Sequence, residues 1–158
     1  MRRKIGEGSM RVGDICTRQV VSCSKDTSAL DAAKLMRDAH IGNLVVVEMR
    51  DGKTVPVGVV TDRDIVVQLV AKEVDPRDIA AGDLMASELL VAEEDEDIHE
   101  AIERMRFGGV RRLPVVDRYG ALCGVIALDD LLEYLADELV GIARVSSRGR
   151  YTERRRRG

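Results

Sequence analysis

Aromatic side chains are almost missing from this 158-residue chain, which has one Phe, three Tyr and no Trp. Its core must therefore be aliphatic, and its surface lacks the aromatic platforms on which single-stranded bases stack, which argues against an RNA-reading module. Long apolar runs are missing too. None approaches the roughly 20 residues needed to span a bilayer, and the basic residues 1–11 are not followed by the apolar segment of a signal peptide. The expected location is the cytoplasm, with no membrane partner. Cys16, Cys23 and Cys123 are odd in number and form no CxxC pair, which speaks against a disulfide framework or a thiolate zinc site. They are expected to be reduced. His40 and His99 are isolated, each on a predicted helix, so no metal site is assigned.

What is there is 45% hydrophobic, enough for a globular body with one sizeable core or two small, closely packed ones. The formal charge of −3 is unevenly spread: residues 1–11 carry +3 and residues 143–158 carry +6, which leaves −12 on the residues between. An acidic body does not attract a polyanion over its whole surface, so nucleic acid is not an expected partner except through the Arg-rich tail. Both ends read as flexible, since Gly, Ser and Arg crowd there without apolar periodicity. The run Arg154-Arg155-Arg156-Arg157 either steers the protein to an acidic partner or serves as a solvated tail.

Between the ends the sequence repeats itself at a spacing of 69 residues. Gly13-Asp14-Ile15 returns as Gly82-Asp83-Leu84. Ala29, Ala32, Ala33 and Met36 return as Ile98, Ala101, Ile102 and Met105, the i, i+3, i+4, i+7 stripe of a helix with one buried face. Ser28 with Asp31, and Asp97 with Glu100, mark the helix starts. Each copy continues with a β-rich run, a turn at Asp51-Gly52 or Tyr119-Gly120, a second run (57–61 or 122–127) and a second helix. A first short strand is expected at 20–22 and at 89–91. The predicted fold class is α/β (α+β): two strand-helix-hairpin-helix units that pack their sheets about a pseudo-twofold axis, with two equivalent clefts at the seam. One such unit alone buries only a marginal core.

The stretch Gly58-Val59-Val60-Thr61-Asp62-Arg63-Asp64-Ile65-Val66 reads as a strand running into a helix N-terminus. Such a junction offers unpaired N–H groups and the positive end of a helix dipole to a phosphate or another anion, with Thr61 and Asp64 at its lip. A hydroxyl and a carboxylate three residues apart also make a plain helix cap.

With the tandem spacing, two marks resemble the cystathionine beta-synthase (CBS) domain family, whose domains pack in pairs called Bateman modules. One is Gly58-Val59-Val60-Thr61-Asp62-Arg63-Asp64, similar to the family's glycine-apolar-apolar-Thr/Ser-x-x-Asp signature. The other is Val110-Arg111-Arg112-Leu113-Pro114-Val115-Val116-Asp117. The resemblance covers roughly residues 12–140. It divides the chain into a basic N-terminus (1–11), CBS domain 1 (12–75), CBS domain 2 (76–142) and an Arg-rich tail (143–158), and it is that of a free-standing prokaryotic member.

The resemblance implies a non-catalytic sensor that binds an adenosyl ligand (AMP, ADP, ATP, S-adenosylmethionine or NAD, with AMP or ATP foremost) and signals by a conformational shift. It requires no cofactor beyond that regulatory nucleotide. Asp64 is implied as acceptor for the ribose hydroxyls and Thr61 as a holder of the ribose-phosphate end, with Val59, Asp62 and Arg63 beside them. The opposite wall is implied to come from Leu89, Leu90, Val110 and Pro114 of the other copy, with Arg111 and Arg112 either meeting phosphates or ion-paired to the acidic body. A second cleft would use Ala127 and Asp130 with Val20, Val21, Ser22, Ile41, Gly42 and Asn43. It departs from the pattern, because Ala127 replaces the hydroxyl and Gly42-Asn43 replace the arginines, so it is expected to be the weaker. The implied partners are an adenine nucleotide, a second copy in a homodimer and an unidentified regulated protein. The alternative is a ligand-free interaction module that works through its dimer surface and basic tail.

Overall fold

The computed structural model describes residues 10–86 and 88–156, with side chains to residue 145. The basic stretch 1–9 lies outside the described residues, while Met10 is tied down by a bond from the Ile98 N–H to its carbonyl (3.1 Å).

The two repeats fold alike. Copy one contains α1 (Val12–Ile15), β1 (Ser22–Ser24), α2 (Ala29–Ala39), the hairpin β2 (Asn43–Arg50) and β3 (Lys53–Thr61), and α3 (Asp62–Gln68) with a following 3-10 turn. Copy two contains α4 (Ala81–Leu84), β4 (Ala92–Glu93), α5 (Ile98–Gly108), the hairpin β5 (Arg112–Val116) and β6 (Leu122–Ala127), and α6 (Leu128–Arg156). Each copy builds its own three-stranded sheet, ordered β1-β2-β3 and β4-β5-β6, in which the first strand is parallel and the hairpin antiparallel.

Local chemistry accounts for the elements. Ser28 caps α2 by accepting from the Asp31 N–H, and Asp97 caps α5 by accepting from the His99 N–H. Both helices end on a left-handed residue, His40 in one copy and Gly109 in the other. The β2–β3 turn needs positive φ at two successive residues, which Asp51 (50°) and Gly52 (74°) supply.

Two findings differ from the expectations above, and a third adds to them. The first strands begin later than 20–22 and 89–91, so Val20, Val21, Leu89 and Leu90 precede them. Pairing decides this: Ser22 and Ala92 are the first residues in register with the hairpins, opposite Val45 and Val115. Residues 143–156, expected as flexible tail, continue α6. Six arginines, which are good helix formers, lie in this stretch and no proline interrupts it.

The third concerns the repeated Gly-Asp-Ile/Leu motif, whose short helices are exchanged between the copies. Val12 of α1 is fully buried in the cluster of Ile98, Ala101, Met105, Leu113, Ile126 and Leu131, while Ala81 and Leu84 of α4 are buried with Ala32, Met36, Leu44, Val60 and Ile65. Backbone bonds fix the exchange, with Gly13 N donating to Glu94 O (2.8 Å) and Gly82 N donating to Lys25 O (2.9 Å). Each core is therefore completed by the other copy, which answers the marginal burial available to one unit.

The glycine that opens the signature has its cause here. A Cβ on Gly58 of β3 would lie 2.3 Å from Met85 Sδ, and one on Gly124 of β6 would lie 2.8 Å from Cys16 Sγ. In each copy, the residue just after the exchanged helix packs directly on the other copy's last strand.

Candidate functional site

A cavity of about 900 Å³ opens between the copies, within the range typical of small-molecule sites. Copy one contributes Val59 and Thr61 from β3, Asp62 and Arg63 from the start of α3, and Gly42 and Asn43 from the entry to β2. Copy two contributes Ala86, Glu88, Leu89 and Leu90 from the segment before β4, residues 107–112 from the end of α5 into β5, and Asp129 from α6. The sequence thus brings Thr61, Asp62, Arg63 and Val59 together with Leu89, Leu90, Val110, Arg111 and Arg112, as the first cleft requires.

Two residues assigned to that cleft do not line it. Pro114 is buried in the middle of β5. Asp64 is turned back on the backbone: its Oδ2 accepts from the Thr61 N–H (2.9 Å) and the Thr61 hydroxyl (2.6 Å), and its own N–H donates to Thr61 Oγ1 (3.1 Å). This is a closed capping box, so the cap reading of the pair is realised. Its Oδ1 accepts no bond from the described residues.

The helix start is not an open anion site. Asp62 N donates to Gly42 O (3.0 Å), Arg63 N donates to Asp62 Oδ1 (2.7 Å) and Asp64 N is taken by Thr61. With the first three N–H groups bonded and a helix of only seven residues, positive potential must come from side chains. Arg63, Arg111 and Arg112 supply it. Arg111 Nη2 lies 3.5 Å from Asp129 Oδ1 in an exposed pair, Arg112 donates to the Asn43 side-chain oxygen across the seam, and the Arg63 guanidinium has no partner among the described residues. Three arginines face three carboxylates, Asp62, Glu88 and Asp129, around one cavity.

The residues of the expected second cleft are dispersed. Gly42 and Asn43 line the cavity just described, together with the arginines. The hairpins enter the seam side by side, and β3 touches β6 there, so the two hairpin starts share one space. Ile41 lines a separate cavity of about 480 Å³ between α2 and α3. Val20, Val21 and Ser22 line neither of these cavities, and nor do Ala127 and Asp130. Asp130 Oδ2 accepts from the Ala127 N–H (2.8 Å), half of the capping box that Thr61 completes in copy one. Sequence reasoning missed Ala86, Glu88, Phe107, Gly108 and Gly109. Only Phe107 carried a signal, being the sole Phe and 93% exposed.

A model of the CBS domain family matches residues 12–71 and 81–137. The chain belongs to the CBS domain family. Within it, this tandem CBS protein is 35% identical over 125 residues to an uncharacterized protein of Methanopyrus kandleri, a match covering 79% of the chain and 62% of that protein's length. It is 32% identical over 133 residues to a CBS domain-containing protein of Bacillus subtilis, covering 84% of the chain and 91% of that protein. Among solved structures, the CBS domain protein of Pyrobaculum aerophilum complexed with AMP is similar, with a TM-score of 0.69, 29% identity and coverage of 77% of this chain and 90% of that one. No helix among the described residues is long and apolar enough to cross a membrane.

Proposed function

We propose that the tandem CBS protein is a non-catalytic sensor of an adenine nucleotide of low phosphate charge, AMP foremost, held in the cavity between its two CBS units at 12–75 and 76–142. The observation that carries the proposal is the convergence of Thr61, Asp62 and Arg63 of one unit with Leu89, Leu90, Val110, Arg111 and Arg112 of the other around one cavity. Leu89, Leu90 and Val110 cover the faces of the base, as apolar walls do in small-molecule sites. Thr61, on the cavity wall, faces the ribose-phosphate end, and Asp64 holds Thr61 in place through Oδ2 rather than meeting the ligand itself.

Phosphate falls to Arg63, Arg111 and Arg112, because the helix N–H groups are already used. Three arginines offset by three carboxylates suit one phosphate better than three. The AMP complex of the similar archaeal protein supports this choice. Nucleotide binding favours one relative setting of the two units, and a partner protein reads that setting in a cytoplasmic homodimer.

Calorimetric titration with AMP, ADP, ATP, S-adenosylmethionine and NAD tests the proposal. Saturable heat is expected for AMP, with an affinity at least tenfold lower in the Thr61→Ala/Asp64→Ala variant. Undiminished affinity in that variant places the site elsewhere, and absence of saturable heat for every ligand favours a ligand-free interaction module.

A further inference from the structure

The family match ends at residue 137, but α6 runs on to Arg156. At 1.5 Å per residue this extension adds about 28 Å of helix. The apolar stripe that α6 buries in the body through Leu128 and Leu131 continues along it as Leu132, Leu135, Leu139 and Ile142, spaced 3-4-3 and 54%, 40%, 67% and 66% exposed. A projecting helix of this length with Gly141 and Gly149 in it is marginal in water, and helices of this kind draw their stability from packing an amphipathic face.

Charge says what covers the stripe. From residue 128 to 138 the helix carries Asp129, Asp130, Glu133, Asp137 and Glu138 and no base, while from 139 to 156 it carries six arginines against Glu153. Side by side and parallel, two copies oppose acid to acid and base to base. Antiparallel, each basic half lies along the other's acidic half and reaches toward an acidic body.

From this geometry we infer that the α6 extension is an antiparallel, twofold-symmetric seam with a second copy of the same chain. The inference rests on the homodimer reading and gives that dimer a contact along α6 that runs past the end of the family match, beyond the one α6 residue, Asp129, that lines the nucleotide cavity. An isologous contact of this kind closes after two copies, because each helix uses its one stripe.

Sedimentation equilibrium of the whole protein and of the Leu139→Asp/Ile142→Asp variant tests it, with AMP calorimetry on both as the check that the body remains intact. A dimer for the parent and an association at least tenfold weaker in the variant, weakening further in high salt, are expected. A parent that is monomeric overturns both the homodimer and the seam, including when its tail is captured instead by anionic vesicles or DNA. A variant as dimeric as the parent leaves the homodimer standing and overturns the seam.

Orientation is read by spin labels on Arg144→Cys or Arg154→Cys in a Cys16→Ser/Cys23→Ala/Cys123→Ser background. An antiparallel pair gives label separations that differ by about 30 Å between the two positions, since each position moves along its helix at 1.5 Å per residue. Equal separations at both positions mean a parallel pair and overturn the inference.

Discussion

Replacing Gly58 by alanine is expected to push apart the contact that sets one wall of the cavity. The added Cβ falls 2.3 Å from Met85 Sδ and 2.9 Å from both Met85 Cβ and Cγ. The sulfur can swing aside, but Met85 Cβ moves only with its backbone, which is tied by Met85 N donating to Ala81 O (3.0 Å) at the end of α4. Overpacking of this kind costs about 1–3 kcal/mol. In a chain of this size each kcal/mol lowers the Tm by roughly 2–4 °C. The companion variant Met85→Ala removes Sδ and Cγ and leaves only the 2.9 Å Cβ approach, so the double variant recovers part of the loss. A coupling of about 0.5 kcal/mol or more is the expected size for residues in contact. Urea unfolding followed by far-UV circular dichroism measures all four proteins. Because Ala86, Glu88, Leu89 and Leu90 follow Met85 directly and line the cavity, AMP affinity should fall in Gly58→Ala and rise again in the double variant. A Gly58→Ala protein with the parent's urea midpoint and slope, or a double variant with no coupling at all, refutes the packing argument.

Three further outcomes are expected. Ala127→Thr supplies the hydroxyl missing from the half-formed cap at Asp130 and raises stability by about 1 kcal/mol in urea melts, while Thr61→Ala lowers it by a similar amount; a destabilised Ala127→Thr protein would show that the site has no room for the box. Asp129→Asn frees Arg111 from its exposed pair, so AMP affinity rises by up to about fivefold in calorimetry, the equivalent of a surface ion pair of at most about 1 kcal/mol, and it should be unchanged if Arg111 never meets phosphate. Burial, and then the neighbouring Glu94 carboxylate, push the Cys123 thiol up to about 11, so at pH 8 only about one molecule in a thousand carries the thiolate. Alkylation of Cys123 by iodoacetamide, read by mass spectrometry at pH 8, should lag a free cysteine by two orders of magnitude and accelerate about tenfold per pH unit up to pH 10; rapid labelling at pH 8 contradicts the burial of that thiol.

The sequence repeat made the helices and hairpins legible because their signals are local. The Ala29-Ala32-Met36 and Ile98-Ala101-Met105 stripes are buried as their spacing requires, and Asp51-Gly52 forms the turn. What stayed hidden depends on contacts across the molecule. The three-residue β1 is positioned by its register with Val45, which no property of Val20 or Val21 announces. The exchange of α1 and α4 is a choice between two equivalent cores, since the same short motif would satisfy either. At the site, Thr61, Arg63, Arg111 and Arg112 stand out in a motif, whereas Glu88 and Asp129 enter the cavity only because the segment before β4 and the first turn of α6 fold against it.

The cavity lies where the pseudo-symmetry brings equivalent residues of both copies together. Gly42 corresponds to Arg111, Asn43 to Arg112 and Arg63 to Asp129, and all six line the same space, so the cavity lies across the pseudo-twofold axis. The backbones at these positions agree: Asp62 N donates to Gly42 O at 3.0 Å and Leu128 N donates to Arg111 O at 2.8 Å. Side chains alone break the symmetry. Leu89, Leu90, Val59 and Thr61 line the cavity, whereas their counterparts Val20, Val21, Val125 and Ala127 do not. Positive charge from Arg63, Arg111 and Arg112 gathers on the side served by Thr61, and the symmetry-related side receives Gly42, Asn43 and the Asp129 carboxylate. The first side therefore holds all three arginines of the cavity, set against Asp62 and Glu88, while the second side holds a carboxylate and no arginine. Both sides draw on the same central residues, where Arg112 donates to the Asn43 side-chain oxygen. The asymmetry of three residue pairs thus turns a twofold scaffold into a cavity with two unlike sides.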